Sequence, residues 1–276
     1  MTQNPKTRPT RRDLLKWMSA GALTSLAPLS FGSYSTGWIS VERHDLRLPK
    51  WDADGFRIAI IADLHTNTPG ATAHAVNAVR LAVAEKPDLI AIPGDFVNVD
   101  GPKHLAYIRE SLEPLHDATC PVIATLGNHD YSCGSVSDVI EAVRSSKAVL
   151  LRNEAVEVRG VTVAGIDDGL AGMYQFDFLS QSHASNSLLA LFHEPDFVKY
   201  VPTEISLQLS GHSHGGQICL PGGHPIDTPL GAREYYAGFY PQAKVPLFVT
   251  RGVGTVGPRL RIFCRPEVTV LTLRSA

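Results

Sequence analysis

Five short apolar runs in this chain end in side chains that coordinate metals. FRIAIIADLH finishes in Asp63 and His65, DLIAIPGDF in Asp95, and PVIATLGNHD in Asn128, His129 and Asp130. SLLALFHEP finishes in His193, and ISLQLSGHSH in His212 and His214. Asp63, His65, Asp95, Asn128, His193, His212 and His214 together offer carboxylate, amide and imidazole. Seven donors overfill one tetrahedral zinc and suit two divalent ions sharing a bridging carboxylate. Two ions roughly 3.5–4 Å apart support in-line displacement at phosphorus, because they lower the pKa of water and neutralise the phosphoryl oxygens. No protein nucleophile is then expected.

Taken singly, each group has a plainer reading. Asp95 after Gly94 and Asn128 after Gly127 fit turns, and a lone His193 fits a satisfied core histidine. The joint pattern outweighs these readings, because every group ends an apolar run and 5 of the 11 histidines, His129 included, fall in these motifs. Asp63 and His65 are two residues apart, as are His212 and His214, so an extended backbone would project each pair to one side. Gly94, Gly127 and Gly211 precede three of the groups, where a chain leaving a strand must turn tightly.

The elements that position these groups alternate apolar runs with amphipathic segments, the pattern of an α/β fold whose ligands gather at the carboxyl ends of the strands. AVNAVRLAVAEKP predicts a helix with Val76, Val79, Leu81 and Val83 on its apolar face, stopped by Pro87. A second helix is expected around Leu105, Ile108, Leu112 and Leu115, and a third over SDVIEAVRSS with Ser137 as N-cap. The runs VRGVTVAGI, VPLFVTR and EVTVLTLR make the second half strand-rich and predict a second sheet packed on the first. The expected body is therefore one unit from residue 38 to 276, with two packed β-sheets flanked by helices.

The ordered set D-x-H, G-D, G-N-H-D, H and G-H-x-H, from about Phe56 to His214, resembles the calcineurin-like metallophosphoesterases. The neighbouring text, GDFV, HEPDF, GHSHGGQICLPG and RGVGTVGPRLRIFCRPEVTVLTL, is similar to an exported, twin-arginine-dependent phosphodiesterase branch related to UDP-2,3-diacylglucosamine pyrophosphatase-like enzymes. The resemblance implies a four-layer αββα sandwich. It implies that Asp63, His65 and His214 hold one ion, that Asn128, His193 and His212 hold the other, and that Asp95 bridges them. His129 would assist the leaving group and Asp130 would orient His129. The implied ions are Mn, Zn or Fe.

The first 32 residues read differently. Lys6, Arg8, Arg11 and Arg12 precede the apolar stretch LLKWMSAGALTSLAPLSF, and Thr10 to Lys16 (TRRDLLK) resembles a twin-arginine export signal. That predicts engagement of the twin-arginine translocation machinery and delivery to the periplasm or cell envelope, with cleavage or retention as a membrane tether left open. The formal net charge of -2 gives no footprint for nucleic acid. Cys120, Cys133, Cys219 and Cys264 lack metal-type spacing and read as small buried hydrophobes, although Cys120 and Cys133 flank one motif closely enough to pair.

Substrate signals are thinner. The Gly- and Pro-rich segment from Gly215 to Lys244 carries Tyr235, Tyr236, Phe239 and Tyr240, which would either wall a substrate site, pack a lipid chain or a membrane surface, or pin the loop to the body. His224 lies in the same segment. Arg251 ends PLFVT and is a candidate for the phosphate oxygens, whereas Arg259 and Arg261, alternating with Leu260 and Ile262, read as solvated charges on a strand. The sequence points to a dinuclear phosphodiesterase or pyrophosphatase with a small-molecule or lipid-linked phosphoester substrate. A phosphomonoesterase, a nuclease and a non-catalytic metal-binding protein are the alternatives.

Overall fold

The computed structural model describes residues 37–98, 104–181 and 187–276. The proposed export signal lies outside them. Fourteen strands are described: β1 (Ser40–Leu48), β2 (Phe56–Ile60), β3 (Leu89–Pro93), β4 (Val122–Thr125), β5 (Val149–Leu150), β6 (Glu154–Val158), β7 (Val161–Gly165), β8 (Leu188–Leu191), β9 (Leu207–Ser210), β10 (Cys219–Leu220), β11 (His224–Pro225), β12 (Gly238–Tyr240), β13 (Leu247–Val249) and β14 (Glu267–Ser275). The first sheet has the order β1-β14-β2-β3-β4-β5 and the second the order β12-β13-β9-β8-β7-β6. In the first, β2 to β5 run parallel. In the second, β7, β8, β9 and β13 run parallel.

Parallel strands covered on both faces must be apolar throughout, and β3, β4, β8 and β9 are buried at every position. The two-residue period of a strand divides their side chains between layers. Ile58 and Ile60 face the second sheet, where they meet Val161, Val163, Leu189, Leu191, Leu207, Leu209 and Phe248. Ala59 and Ile61 point the other way, into the helix layer.

EVTVLTLR does not join the second sheet, as the sequence suggested. It forms β14 and inserts into the first sheet between β1, to which it is parallel, and β2, to which it is antiparallel. Its first five residues are all buried, so it fits an internal position with cover on both faces better than an edge.

The helices α1 (Pro69–Ala84), α2 (His104–Leu112), α3 (Asn128–Ser132) and α4 (Val136–Arg144) follow strands of the first sheet. α1 starts earlier than its valine pattern suggests. Thr68 caps it, accepting a hydrogen bond from the Ala71 N–H, and Pro69 occupies the first turn. Its buried stripe is Thr72, Ala75, Ala78, Val79 and Ala82, while Val76, Leu81 and Val83 are half-buried. Small residues on that stripe let the helix lie close to the sheet. α4 starts at Val136, with Ser135 rather than Ser137 at the N-cap position.

The outer face of the second sheet is covered differently, by the 3-10 turns Asp177–Gln181 and Pro195–Lys199 and by aromatic rings. Tyr174, Phe176 and Phe197 pack around the buried Phe192. No helix among the described residues is long and apolar enough to cross a membrane.

The close approach of α1 is testable. Ala78→Leu adds three carbons to a fully buried position and is expected to destabilise the protein by about 1–3 kcal/mol through overpacking, read as a lower midpoint in urea denaturation.

Candidate metal centre

The carboxyl ends of β2, β3, β4, β8 and β9 converge where the two sheets meet, and the sequence-predicted donors meet there. Asp63, His65 and His214 form one cluster and Asp95, His193 and His212 another; within each cluster the donor atoms lie within 4.8 Å of one another. Asp95 stands between the clusters, its Oδ2 3.2 Å from His193 Nε2 and 3.5 Å from His65 Nε2. Asp63 Oδ1 is 3.9 Å from His214 Nε2 and 4.0 Å from His193 Nε2. All six are at most 5% exposed, which excludes water as a general partner. Asn128 opens α3 beside them, half-buried.

Neither D-x-H nor H-x-H achieves this on extended backbone. Asp63, His65, Asp95, His212 and His214 all have positive φ, between 46° and 67°. Each lies just past a strand end, where a left-handed residue turns the chain sharply and swings the side chain back over the sheet edge. Such conformations are unfavourable for non-glycine residues by about 1–2 kcal/mol each, and they persist only where surrounding structure enforces them.

Glycines make room for these turns. Gly94 has φ +88°, and a Cβ there would lie 2.6 Å from Gly127 N and 2.8 Å from His193 Nδ1. Gly127 and Gly211 have no positive φ; they are small because Asp95 and Asp63 pack directly against them.

The protonation pattern suits cation binding. Burial pushes the His65 imidazole down to about 3 and lowers His212 and His214 as well, so these rings keep lone pairs at neutral pH. Burial also raises the Asp63 carboxyl to about 7, with the nearby His193 opposing it. For His193 burial works against the charged ring, but the adjacent Asp95 carboxylate outweighs it and raises the pKa. Second contacts fix each ring. His193 Nδ1 faces the Pro93 carbonyl at 2.6 Å and His212 Nε2 faces the Leu230 carbonyl at 2.8 Å, which leaves His193 Nε2 and His212 Nδ1 as the free donors.

Two divalent cations fit this set on the structure's own terms. Asn128 Oδ1 is buried without a hydrogen-bond partner, an arrangement that is unfavourable unless something accepts its lone pairs. His65 Nε2 and His214 Nε2 lie 3.0 Å apart on rings that burial keeps neutral. A cation between them satisfies both.

Several expectations are corrected here. Asp130 does not orient His129. Its two oxygens accept from the backbone N–H groups of Asp95, Phe96, Val97 and Gly127 at 2.9–3.2 Å, so it staples the β3 turn to the β4 turn. His129 itself stands at the site, its backbone N–H donating to Asp95 Oδ1 at 2.9 Å and its ring perpendicular to that of His65 at 4.9 Å. Arg251 is not free for a phosphate, because its guanidinium pairs with the buried Glu267 and with Glu42. Arg261 is not solvated. It is fully buried and donates to the carbonyls of His214, Arg251, Gly252 and Gly254.

Arg261 was missed because its strand-like alternation with Leu260 and Ile262 hid a buried role. It ties the His214 turn to the segment Arg251–Gly254, and that segment in turn binds the D-x-H turn through Gly254 N donating to Asp63 O at 2.7 Å. The available signal was R-G-V-G after β13, a sixth apolar run followed by a turn at the same edge.

The aromatic segment pins the loop to the body. Tyr235 and Tyr240 stack edge to face at 5.0 Å against the second sheet's outer core. Gly211 to Gly215 literally matches G-x-S-x-G, yet Ser213 is no exposed nucleophile: it is buried, and its hydroxyl donates to Tyr236 O and accepts from Gly215 N. The four cysteines are buried, and none of them forms a disulfide.

A cavity of about 450 Å³ opens over the clusters, with Asp95, Asn128, His129, His212 and His214 on its floor and Gln217, Ile218, Ile226, Thr228, Pro229 and Val256 in its walls.

Two packed, largely parallel sheets carrying such ligands at their joined edges define a metallophosphoesterase. The chain belongs to the calcineurin-like phosphoesterase family, whose model matches residues 56–216, and it is a phosphoester hydrolase of a family that depends on two metals. It is 32% identical to the phosphodiesterase YaeI of Escherichia coli K12, over 94% of this chain and 98% of that protein. It is 31% identical to the metallophosphoesterase YkuE of Bacillus subtilis 168, over 96% and 98%. Among solved structures, the NAD nucleotidase of Haemophilus influenzae aligns with 72% of this chain and 45% of that one, at 15% identity and a TM-score of 0.46.

The crowding around Gly94 yields a direct test. Gly94→Ala is expected to leave less than one metal per chain by elemental analysis, because a methyl group there displaces both the Gly127 turn and His193. Arg261→Met strands four carbonyls in a dry interior and is expected to lower stability by about 3 kcal/mol or more, read as a lower denaturant midpoint.

Proposed function

We propose that the chain is a dinuclear phosphodiesterase or pyrophosphatase acting on envelope or lipid-linked phosphoesters. The observation that carries this reading is the pair of three-residue clusters, adjoining at Asp95, on the floor of an open cavity. The name of the Escherichia coli relative supports the diester preference.

Asp63, His65 and His214 would hold one ion, and Asn128, His193 and His212 the other, with Asp95 shared. Mn, Zn and Fe all suit such mixed oxygen and nitrogen donors. When bound, the ions supply a nucleophile from water at neutral pH and neutralise charge on the phosphoryl group. The chain's own part is positional. Asp95 serves both clusters through one oxygen while its other oxygen accepts the His129 backbone N–H, which anchors the turn that carries His129 at the cavity floor. There its ring nitrogen is placed to give a proton to the departing ester oxygen. The apolar cavity walls leave room for a second ester arm, which a monoester lacks.

We also propose export through the twin-arginine machinery to the periplasm or envelope, supported by Arg11 and Arg12 before the apolar stretch. Arg11→Lys with Arg12→Lys is expected to abolish delivery of the full chain outside the cytoplasm, measured by cell fractionation.

The catalytic assignment separates two variants. Asp95→Asn is expected to lose both metals and all turnover. His129→Ala is expected to keep two metals per chain while kcat on a chromogenic phosphodiester falls about 10²–10⁴-fold. Equal loss of metal in both variants would overturn the role of His129, and hydrolysis of a matched monoester in place of the diester would overturn the substrate class.

A further inference from the structure

Ten large apolar side chains are exposed among the described residues, and six of them (Trp38, Leu220, Ile226, Leu230, Val256 and Phe263) come from segments beside the catalytic cavity. Leu220 sits on the β10–β11 hairpin, and Ile226 follows it, donating its N–H to Ile218 O. Leu230 is next to the cavity floor, since its carbonyl faces His212 Nε2. Val256 is held in the cavity wall by two hydrogen bonds with the Gln217 side chain. Phe263 is 46% exposed with φ +50°, and its carbonyl approaches Gly223 in the hairpin. Single exposed apolar residues are ordinary, but a group of them around one opening marks an interaction surface.

Two further observations specify what covers it. Arg259 and Arg265 are exposed among these residues, and the Arg265 guanidinium lies 5.2 Å over the Trp38 ring. Aromatic and basic side chains together suit an anionic lipid interface. The second observation is where the chain enters the fold. Ser40 pairs with Glu267 at the start of β14, and Thr269 pairs with Ile60 at the end of β2. Residue 37 therefore lies at the same edge of the first sheet as the Asp63 turn. The sequence before it carries Lys6, Arg8, Arg11, Arg12 and Lys16 and the apolar stretch from Leu14 to Phe31. If that stretch enters a bilayer, the active-site edge is the one beside it.

We infer that this rim is a lipid-contacting surface that seats the cavity mouth on an anionic phospholipid bilayer. The inference deepens the proposed function: a phosphoester anchored in the bilayer by its apolar part reaches the metal clusters without leaving the lipid phase. Ile226 and Val256 serve both as rim and as cavity wall.

The test uses the full chain and vesicles of phosphatidylglycerol and phosphatidylethanolamine. The rim variant Trp38→Ser/Leu220→Ser/Phe263→Ser is compared with the parent and with Val149→Ser/Tyr200→Ser, which changes exposed apolar residues away from the cavity. The rim variant is expected to co-float with vesicles at least tenfold less than either. It is also expected to cleave a vesicle-embedded acyl phosphodiester at least tenfold more slowly, with an unchanged rate on a water-soluble diester. Flotation equal to the parent would overturn the inference, because residues 1–36 would then account for binding. A parent dimer that the rim variant loses in sedimentation, without any change in flotation, would assign the surface to a second copy and overturn it too. If the triple variant does not fold, Leu220→Ser and Phe263→Ser are each expected to lower flotation at least twofold. Flotation does not depend on turnover, so an absence of diester hydrolysis would sink the proposed function and leave the surface assignment to be judged by binding.

Discussion

The structure depends on one constraint: six metal-type donors are gathered where almost no water reaches, and their lone pairs face one another. Such a cluster sets like groups against one another. His65 and His214 present nitrogens 3.0 Å apart, and Asn128 Oδ1 is left without a hydrogen-bond partner. Burying an unpaired polar group is unfavourable by about 1–3 kcal/mol, so the apo arrangement is held by its scaffold until cations supply the missing partners. The clusters lie on turns anchored by two six-stranded sheets, and that rigidity keeps the donors from collapsing onto each other.

The scaffold's grip is visible in the backbone. Left-handed conformations at Asp63, His65, Asp95, His212 and His214 would relax in an isolated peptide. Here they are over-determined. Asp130 takes four backbone N–H groups from the β3 and β4 turns. Asp63 accepts the His212 N–H, which locks the β2 turn to the β9 turn across the sheet boundary. Arg261 ties the β9 turn to the segment after β13. A carboxylate and a guanidinium that touch no substrate therefore position the residues that would.

The same geometry gives the molecule a front. The parallel strands point their carboxyl ends one way, and the hairpin, the segment after β13 and the start of β1 all gather on that side. Substrate access, the apolar rim and the start of the described chain thus share one edge of the sheets, while β14 runs out at the opposite one. The outer layers differ accordingly: helices with an alanine face lie close on the first sheet, whereas 3-10 turns and aromatic rings cover the second.

What the sequence determined alone was chemical and local. Donor types, their order and their placement after apolar runs identified a two-metal site, because strand burial and ligand chemistry are written in neighbouring residues. The α/β class and most helices were legible for the same reason. Tertiary structure decided whatever depends on partners distant in the chain. EVTVLTLR reads as a strand either way, but only the open position between β1 and β2 placed it in the first sheet. Asp130 and Arg251 each read as free groups near a site, and only folding showed the backbone N–H groups and the Glu267 that occupy them. Arg261 alternated like a surface strand residue and proved buried, since the carbonyls that satisfy it come from four other positions. The close pairing in D-x-H and H-x-H also arose from left-handed turns rather than extended backbone. A residue's φ at a strand end is set by the crowding around it, and that crowding exists only once both sheets have met.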